Sequence, residues 1–275
     1  MRSSLSARFP LAAVACLALL AACSKSTTTS NTSPSGRTSS SASPLSGSAN
    51  IFAAQSLKGA FDKIDAAFMD AHPGVTINPN YNGSGTLVTQ IQQGAPADVF
   101  ASADNANMSK LTAAGTIATS TVKTLLRNVL QIVVKSGNPK GIKTLADLAK
   151  PGVVVVLGDP ASVPAGKYAQ QAFQQAGLTV TAKSLETNVT AVLTKVALGE
   201  ADAGIVYVTD VKVAIAGGQA VEGIDIPTAQ NVVATYPVGP LAHAPNPAVA
   251  SAYISYLLST AGQATLASFG FLPPS

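Results

Sequence analysis

The sequence predicts an α/β fold in two lobes, each a mostly parallel sheet flanked by helices, with a ligand cleft between the lobes. From residue 50 onward, short runs rich in β-branched and aromatic residues alternate with segments whose apolar residues recur at helical spacing. Strands separated by helices imply parallel pairing. The chain holds more of these units than one small sheet accommodates, and this favours two lobes.

The first unit illustrates the pattern. Residues 50–54 are a predicted strand, and Pro73 and Gly74 end the helix that follows it. The apolar positions of that helix are Leu57, Phe61, Ile64 and Phe68. Further strands are predicted at 75–81, 98–102, 129–134, 153–157, 204–208 and 232–235. Further helices are predicted at 86–93, 105–114, 166–176 and 249–258, and one more helix is predicted to end near Gly199.

Two apolar segments, 128–134 and 232–238, are the predicted strands that cross between the lobes. Lobe 1 then consists of residues 49–127 together with 236–275, and lobe 2 of residues 128–235. In open α/β sheets, ligands bind at the carboxyl ends of the strands, where helices begin. We therefore expect the functional residues in the turns that follow the strands.

The N-terminus has the pattern of an exported protein. Residues 1–22 combine a basic start with an apolar run too short for a comfortable membrane span, and they are predicted to be a signal peptide. The Leu-Ala-Ala-Cys sequence ending at Cys23 resembles the processing box of bacterial lipoproteins, in which the cysteine is lipidated. The alternative is an ordinary cleavage site. Residues 23–48 are predicted to be this cysteine and a Ser/Thr-rich linker without a core, tethering an exported domain to the outer face of the cell membrane.

The net charge of +4 does not indicate a nucleic-acid-binding surface. Its excess is accounted for by Arg2, Arg8, Lys25 and Arg37, all in the signal peptide and linker. From residue 49 onward basic and acidic residues balance, and a protein that binds phosphate backbones needs a basic footprint. The composition of the folded part therefore excludes nucleic acid as a partner.

Four turns place small or hydroxyl residues where a predicted strand leads into a helix. Ser56 and Ser84 lie in the first two turns, Ala165 in the third and Val189 in the fourth. The start of a helix leaves backbone N–H groups unpaired and carries partial positive charge, so it attracts anions. Serines at such positions more often cap their own helices, and each turn taken alone favours that interpretation.

Five motifs in order strengthen the anion hypothesis: FAAQSL at 52–57, GSGTL at 83–87, GAPADVFASAD at 94–104, GDPASVPAGKY at 158–168 and GIVYVTD at 204–210. On these motifs the chain resembles the periplasmic molybdate-binding proteins of ABC importers, a family that also takes tungstate. The resemblance extends from about residue 50 to the C-terminus and implies the type II periplasmic-binding-protein fold.

The resemblance also implies a set of binding residues. In that family the oxyanion accepts hydrogen bonds from two serines, from backbone amides in two turns and from a tyrosine hydroxyl. These roles fall on Ser56 and Ser84, on the backbone of Ala165 and Val189, and on Tyr207.

Three side chains near these positions have open or alternative roles. Tyr207 has the alternative role of a core tyrosine with a satisfied hydroxyl, and Tyr168 is assigned to that role. Gln55 departs from the family, which commonly has a third alanine before the first serine. Its amide either turns away from the pocket or adds a donor to it.

The resemblance implies molybdate or tungstate as the ligand, no cofactor, and an ABC permease with its ATPase as partners of a monomeric protein. Neutral donors suit a dianion that needs no proton from the protein. Sulfate is the alternative ligand, because it too is a tetrahedral dianion and differs mainly in its shorter bonds to oxygen.

Enzymes and cation-binding proteins fit the sequence poorly. The folded part has only His72 and His243, and neither neighbours a plausible nucleophile. No Cys or His cluster is available to bind a metal cation. Asp159 and Asp210 flank the binding motifs, and we expect these carboxylates to fix loops by accepting hydrogen bonds from backbone amides.

Overall fold

A computed structural model describes residues 44–275. The predicted signal peptide (1–22), the predicted lipidation site Cys23 and most of the predicted linker lie outside the described residues. Within residues 44–275, no helix is both long enough and apolar enough to cross a bilayer.

Strands and helices alternate along most of this part of the chain. The strands are β1 (Ser46–Ala54), β2 (Gly74–Asn82), β3 (Val99–Ala101), β4 (Lys123–Lys135), β5 (Val155–Gly158), β6 (Ser184–Glu186), β7 (Ala203–Tyr207), β8 (Val221–Asp225) and β9 (Val233–Pro240). The helices are α1 (Lys58–Ala71), α2 (Ser84–Gln92), α3 (Asn105–Ala113), α4 (Pro164–Gln175), α5 (Val189–Leu198), α6 (Val208–Ala216), α7 (Pro247–Leu258) and α8 (Thr260–Ser268). Short 3₁₀ helices occupy Gln55–Leu57, Thr119–Thr121 and Leu145–Ala149.

The strands form one mixed sheet in the order β2-β1-β3-β9-β4-β7-β5-β6, with β8 paired to β4. Strands β1, β2 and β3 are parallel to one another, and so are β5, β6 and β7. The pairs that involve β4 or β9 are antiparallel. The predicted α/β fold of the periplasmic-binding-protein class is confirmed, with a sheet that is mixed rather than mostly parallel.

Strand β4 connects the two parallel groups. Its first part, up to Val129, pairs with β9, and its second part, from Leu130, lies between β7 and β8. The segment 128–134, predicted to cross between lobes, is the centre of this strand. The described residues pack as one compact unit, so the lobe boundaries at 127/128 and 235/236 stay a prediction.

Several element boundaries differ from those predicted. Strand β1 begins at Ser46, four residues early, and its first three residues pair with Gly74, Val75 and Thr76 of β2. The predicted linker to residue 48 is therefore too long: the side chains of Ser46 and Ser48 are exposed and polar, so composition did not reveal that their backbone belongs to a sheet. The short strands β6 and β8 and the helix α8 had no strong hydrophobic pattern and were not predicted. Helix α6, which begins at the end of the predicted strand 204–208, was not predicted either.

Helix α1 and its neighbours show how the pattern becomes a core. The predicted apolar positions Phe61, Ile64 and Phe68 are all buried, as helical spacing on one face requires. Phe68 packs edge to face against Tyr253 of α7, with ring centroids 5.3 Å apart. This packing fixes α1, and with it the turn that precedes it, against the sheet and the C-terminal helices.

A carboxyl group, Asp65 of α1, is buried in this layer. It accepts hydrogen bonds from the hydroxyls of Tyr253 (2.5 Å) and Tyr81 (3.4 Å). Burial raises the pKa of Asp65 to about 6, and the two tyrosine hydrogen bonds offset only part of that effect.

Asp65→Asn is expected to flatten the dependence of stability on pH. A carboxyl whose pKa is raised in the folded state favours folding fully below its unfolded pKa, near 4, and this contribution is lost as pH rises through about 6. For Asp65 the loss is up to about 3 kcal/mol. Urea unfolding of the wild type and of Asp65→Asn at pH 4.5 and pH 7.5 measures this loss. If the unfolding free energies of the two proteins change by the same amount between these pH values, the assignment is wrong.

Candidate functional site

The five predicted binding residues line one cavity. Its complete lining is Ala54, Gln55, Ser56, Asn82, Gly83, Ser84, Ala103, Val163, Pro164, Ala165, Asn188, Val189 and Tyr207. The cavity is narrow, with a volume of about 10 Å³. A ligand held here contacts several walls at once.

The strand order explains why residues so distant in sequence meet. All six parallel strands end near this cavity: β1, β2 and β7 end on lining residues, and β3, β5 and β6 are each followed by one within five residues. In chain order, β1, β2, β3, β5, β6 and β7 lead to Ser56, Ser84, Ala103, Ala165, Val189 and Tyr207. The carboxyl edge of the sheet therefore supplies the site, as expected for an α/β fold.

Neither serine caps its own helix. Ser56 lies in the 3₁₀ helix between β1 and α1, and its Oγ is 2.9 Å from the hydroxyl oxygen of Tyr236. Ser84 is the first residue of α2, and its Oγ accepts the backbone N–H of Ala103 at 3.0 Å. Because that bond uses a lone pair, the hydroxyl proton of Ser84 remains available to an acceptor in the cavity.

Ala165 and Val189 contribute backbone at the starts of α4 and α5. Ala165 follows Pro164, the first residue of α4, and Val189 is the first residue of α5. The first N–H groups of a helix have no partner within the helix and carry its positive end of the dipole. Asn188 caps α5 by accepting the N–H of Ala191 at 3.0 Å, so that cap does not use the N–H of Val189.

Tyr207 ends β7 and is almost completely buried. Of the buried side-chain polar atoms in residues 44–275, its hydroxyl oxygen is the one without a hydrogen-bond partner. Burial raises the pKa of Tyr207 well above its usual value, so the phenol is protonated at neutral pH and has a proton to donate. The alternative role of a core tyrosine with a satisfied hydroxyl does not describe it.

Backbone contacts close one side of the cavity. The N–H of Gly85 donates to the carbonyl of Ser162 at 2.8 Å. A Cβ on Gly85 would lie 2.7 Å from Ser162 backbone atoms, and one on Gly83 would lie 2.6 Å from the carbonyl oxygen of Thr187. Glycine at these two positions allows the turn before α2 to touch the loops before α4 and α5.

The cavity lining carries no formal charge: its members within residues 44–275 include no Asp, Glu, Lys or Arg. As predicted, the two flanking carboxylates bind loop backbone, with Asp159 accepting the N–H of Ala161 (3.0 Å) and Asp210 that of Tyr207 (2.9 Å). The part of the chain that the structure describes also contains no cluster of three His, Cys, Asp or Glu side chains suited to a metal ion.

The structure adds to the sequence analysis at two residues, Gln55 and Tyr236. Gln55 lines both this cavity and a neighbouring one of about 270 Å³ that also contacts Asp210. Tyr236, on β9, contacts Ser56 from behind the cavity. In the sequence Tyr236 belongs to an apolar segment predicted only as a strand, and a buried tyrosine in a strand gives no signal of function by itself.

The sequence of this chain matches a known protein family over most of its length. Residues 49–272 match the family of bacterial extracellular solute-binding proteins. The chain belongs to this family. It is thus an extracellular binding protein and not an enzyme.

The proteins to which the chain is similar include binding proteins for two different oxyanions. It is 40% identical over 238 residues to the molybdate-binding protein ModA of Mycobacterium tuberculosis, a match that covers 86% of this chain and 89% of that protein. The fold is similar to that of the periplasmic molybdate-binding protein of Azotobacter vinelandii (TM-score 0.71, 20% identity, 82% and 100% of the chains). It is also similar to that of the sulfate-binding protein SubI of M. tuberculosis (TM-score 0.75, 20% identity, 82% and 86%).

Proposed function

We propose that this chain binds molybdate, and tungstate in the same way, as the solute-binding component of an ABC importer. The observation that carries the proposal is the buried hydroxyl of Tyr207, which has a proton to donate and no partner among the described residues. It lines one narrow cavity together with two serines and two helix starts. The 40% identity to a molybdate-binding protein over most of both chains supports the same ligand.

The donors suit a tetrahedral dianion. The hydroxyls of Ser56, Ser84 and Tyr207 and the backbone N–H groups of Ala165 and Val189 each offer one proton. A hydrogen bond to a charged oxygen contributes roughly 1.5 to 3 kcal/mol, so several of them together bind tightly. The cavity contributes no positive charge, and selection among dianions then depends on size and oxygen spacing.

The ligand is proposed to bridge two lobes. Ser56 and Ser84 belong to lobe 1 (49–127 with 236–275), whereas Ala165, Val189 and Tyr207 belong to lobe 2 (128–235). The hydrogen bond from Gly85 to Ser162 joins the same two parts of the chain. Closure of the lobes around the anion would bring these contacts together and give a permease a loaded form to recognise.

Transport requires partners outside this chain. The proposed partners are a membrane permease and its cytoplasmic ATPase, and the protein is proposed to work as a monomer. Lipidation of Cys23 would anchor it to the outer face of the cell membrane, with the Ser/Thr-rich segment as its tether. The anchor would keep the binding protein close to its permease.

Isothermal titration calorimetry with molybdate, tungstate and sulfate at one ionic strength tests the ligand. We expect molybdate and tungstate to bind at least about tenfold to 100-fold more tightly than sulfate, because the smaller ion leaves one or more donors out of reach. Sulfate binding as tightly as molybdate would favour the alternative, a sulfate-binding protein of the same fold.

Tyr207→Phe is expected to change affinity and stability in different directions. Removing the hydroxyl should weaken molybdate binding about tenfold to 100-fold, because one anion oxygen loses its donor. The unfolding free energy of the ligand-free protein should stay the same or rise, because a buried polar group without a partner is removed.

The matched control is Tyr253→Phe, which removes a buried hydroxyl that is bonded to Asp65. It should lower the unfolding free energy by about 1 kcal/mol or more and leave the affinity for molybdate unchanged. If Tyr207→Phe destabilised the free protein and bound molybdate normally, Tyr207 would be a structural residue.

Gly85→Ala tests closure. The added Cβ would press on the backbone of Ser162, so the two parts of the chain could not approach fully. We expect molybdate affinity to fall about tenfold or more, and the ligand-induced decrease in radius of gyration, measured by small-angle X-ray scattering, to shrink. Gln92→Ala, at an exposed position of the same helix, is the control. An undiminished compaction in Gly85→Ala would argue against closure at this contact.

A further inference from the structure

Tyr236 lies directly behind the proposed anion site. It is buried on β9, opposite Leu126 of β4. Its hydroxyl oxygen is 2.9 Å from Oγ of Ser56, and its ring meets that of Tyr207 edge to face with centroids 5.7 Å apart. Tyr236 therefore contacts one proposed ligand residue from each lobe without lining the cavity itself.

The positions of the Ser56 and Tyr236 oxygens allow either hydroxyl to donate to the other. Which one donates depends on where each proton can find an acceptor. Burial raises the pKa of Tyr236 well above its usual value, so its phenol keeps a proton that needs an acceptor. In residues 44–275, Ser56 is the partner with good hydrogen-bond geometry, at 2.9 Å, and Asn128 and Tyr207 lie near the same hydroxyl without it. If Ser56 were the donor, the proton of Tyr236 would have to turn to one of these poorer acceptors, at a cost on the order of 1 kcal/mol or more.

The direction of this bond determines what Ser56 offers the ligand. When Ser56 accepts from Tyr236, its own proton is free to point into the cavity as a donor. When Ser56 donates to Tyr236, only lone pairs face the cavity, and these repel an anion. The favoured direction is thus also the one that suits an oxyanion.

We propose that Tyr236 is a positioning residue that donates its hydroxyl proton to Ser56 and thereby fixes the Ser56 hydroxyl as a donor to the bound anion. This inference rests on the proposed function. It assigns Tyr236 no contact with the ligand, so its effect on affinity passes through Ser56. Because the Tyr236 ring contacts Tyr207, removing only its hydroxyl leaves that second contact in place.

The test is a double-mutant cycle on molybdate affinity, measured by calorimetry with the wild type, Tyr236→Phe, Ser56→Ala and the double variant. Tyr236→Phe is expected to weaken binding roughly threefold to tenfold, since the Ser56 hydroxyl is no longer held in one orientation. In the Ser56→Ala background the same change should have no effect. Combined with Tyr207→Phe, in contrast, Tyr236→Phe should weaken binding by the same factor as in the wild type.

Each other outcome identifies what has failed. Unchanged binding by Tyr236→Phe would overturn the inference. Tighter binding would overturn it too, because it would mean that Ser56 donates to Tyr236 in the wild type. Equal weakening with and without Ser56 would overturn it as well, because a general loss of structure acts in both backgrounds. Tyr253→Phe, which loses a buried tyrosine hydrogen bond elsewhere, shows how far destabilisation alone changes affinity. If the wild type does not bind molybdate, the proposed function itself fails.

Discussion

The pairing of β4 with β9 along its first part and with β7 along its second is the constraint on which the site depends. It joins two groups of three parallel strands in one sheet, and the carboxyl ends of both groups reach the same cavity. Each group contributes helix starts, so donors converge from two sides. No single α/β unit of the chain could surround a tetrahedral ion in this way, because its parallel strands all present their donors from one edge.

Neutral donors would give the proposed anion site a particular kind of selectivity. A lysine or arginine would attract every small anion over a long range, whereas hydroxyl and amide protons act only at hydrogen-bonding distance. The two carboxylates that flank the binding motifs accept hydrogen bonds from backbone: Asp210 from Tyr207 and Asp159 from Ala161. Backbone contacts at Gly83 and Gly85 limit how closely the walls approach each other, so in the proposed site the fit to an ion's size would depend on how far the two parts of the chain close around it.

The sequence predicted which turns meet at one cavity better than it predicted the limits of the helices and strands, for physical reasons. Small residues after strands are visible in sequence, and the five predicted positions do line one cavity. Strand β1 was predicted too short because its first residues are bound to β2 through backbone that any sequence supplies. The role of Tyr236 depends on a bond across 180 residues of chain, which no local pattern contains. Antiparallel pairing of β4 likewise arises from tertiary contacts between distant segments.

A cavity built to bind an anion through hydroxyl groups, as proposed for this chain, has a cost in the ligand-free protein. Tyr207 is held in the core with a proton that no described residue accepts, which violates the rule that buried polar groups are paired. Local violations of this kind concentrate at functional sites, where a ligand supplies the missing partner. Ligand binding then stabilises the folded chain by mass action, about 2.7 kcal/mol at a ligand concentration 100 times the dissociation constant. The hydrogen bond that would complete the core and the one that would hold the anion are thus the same bond.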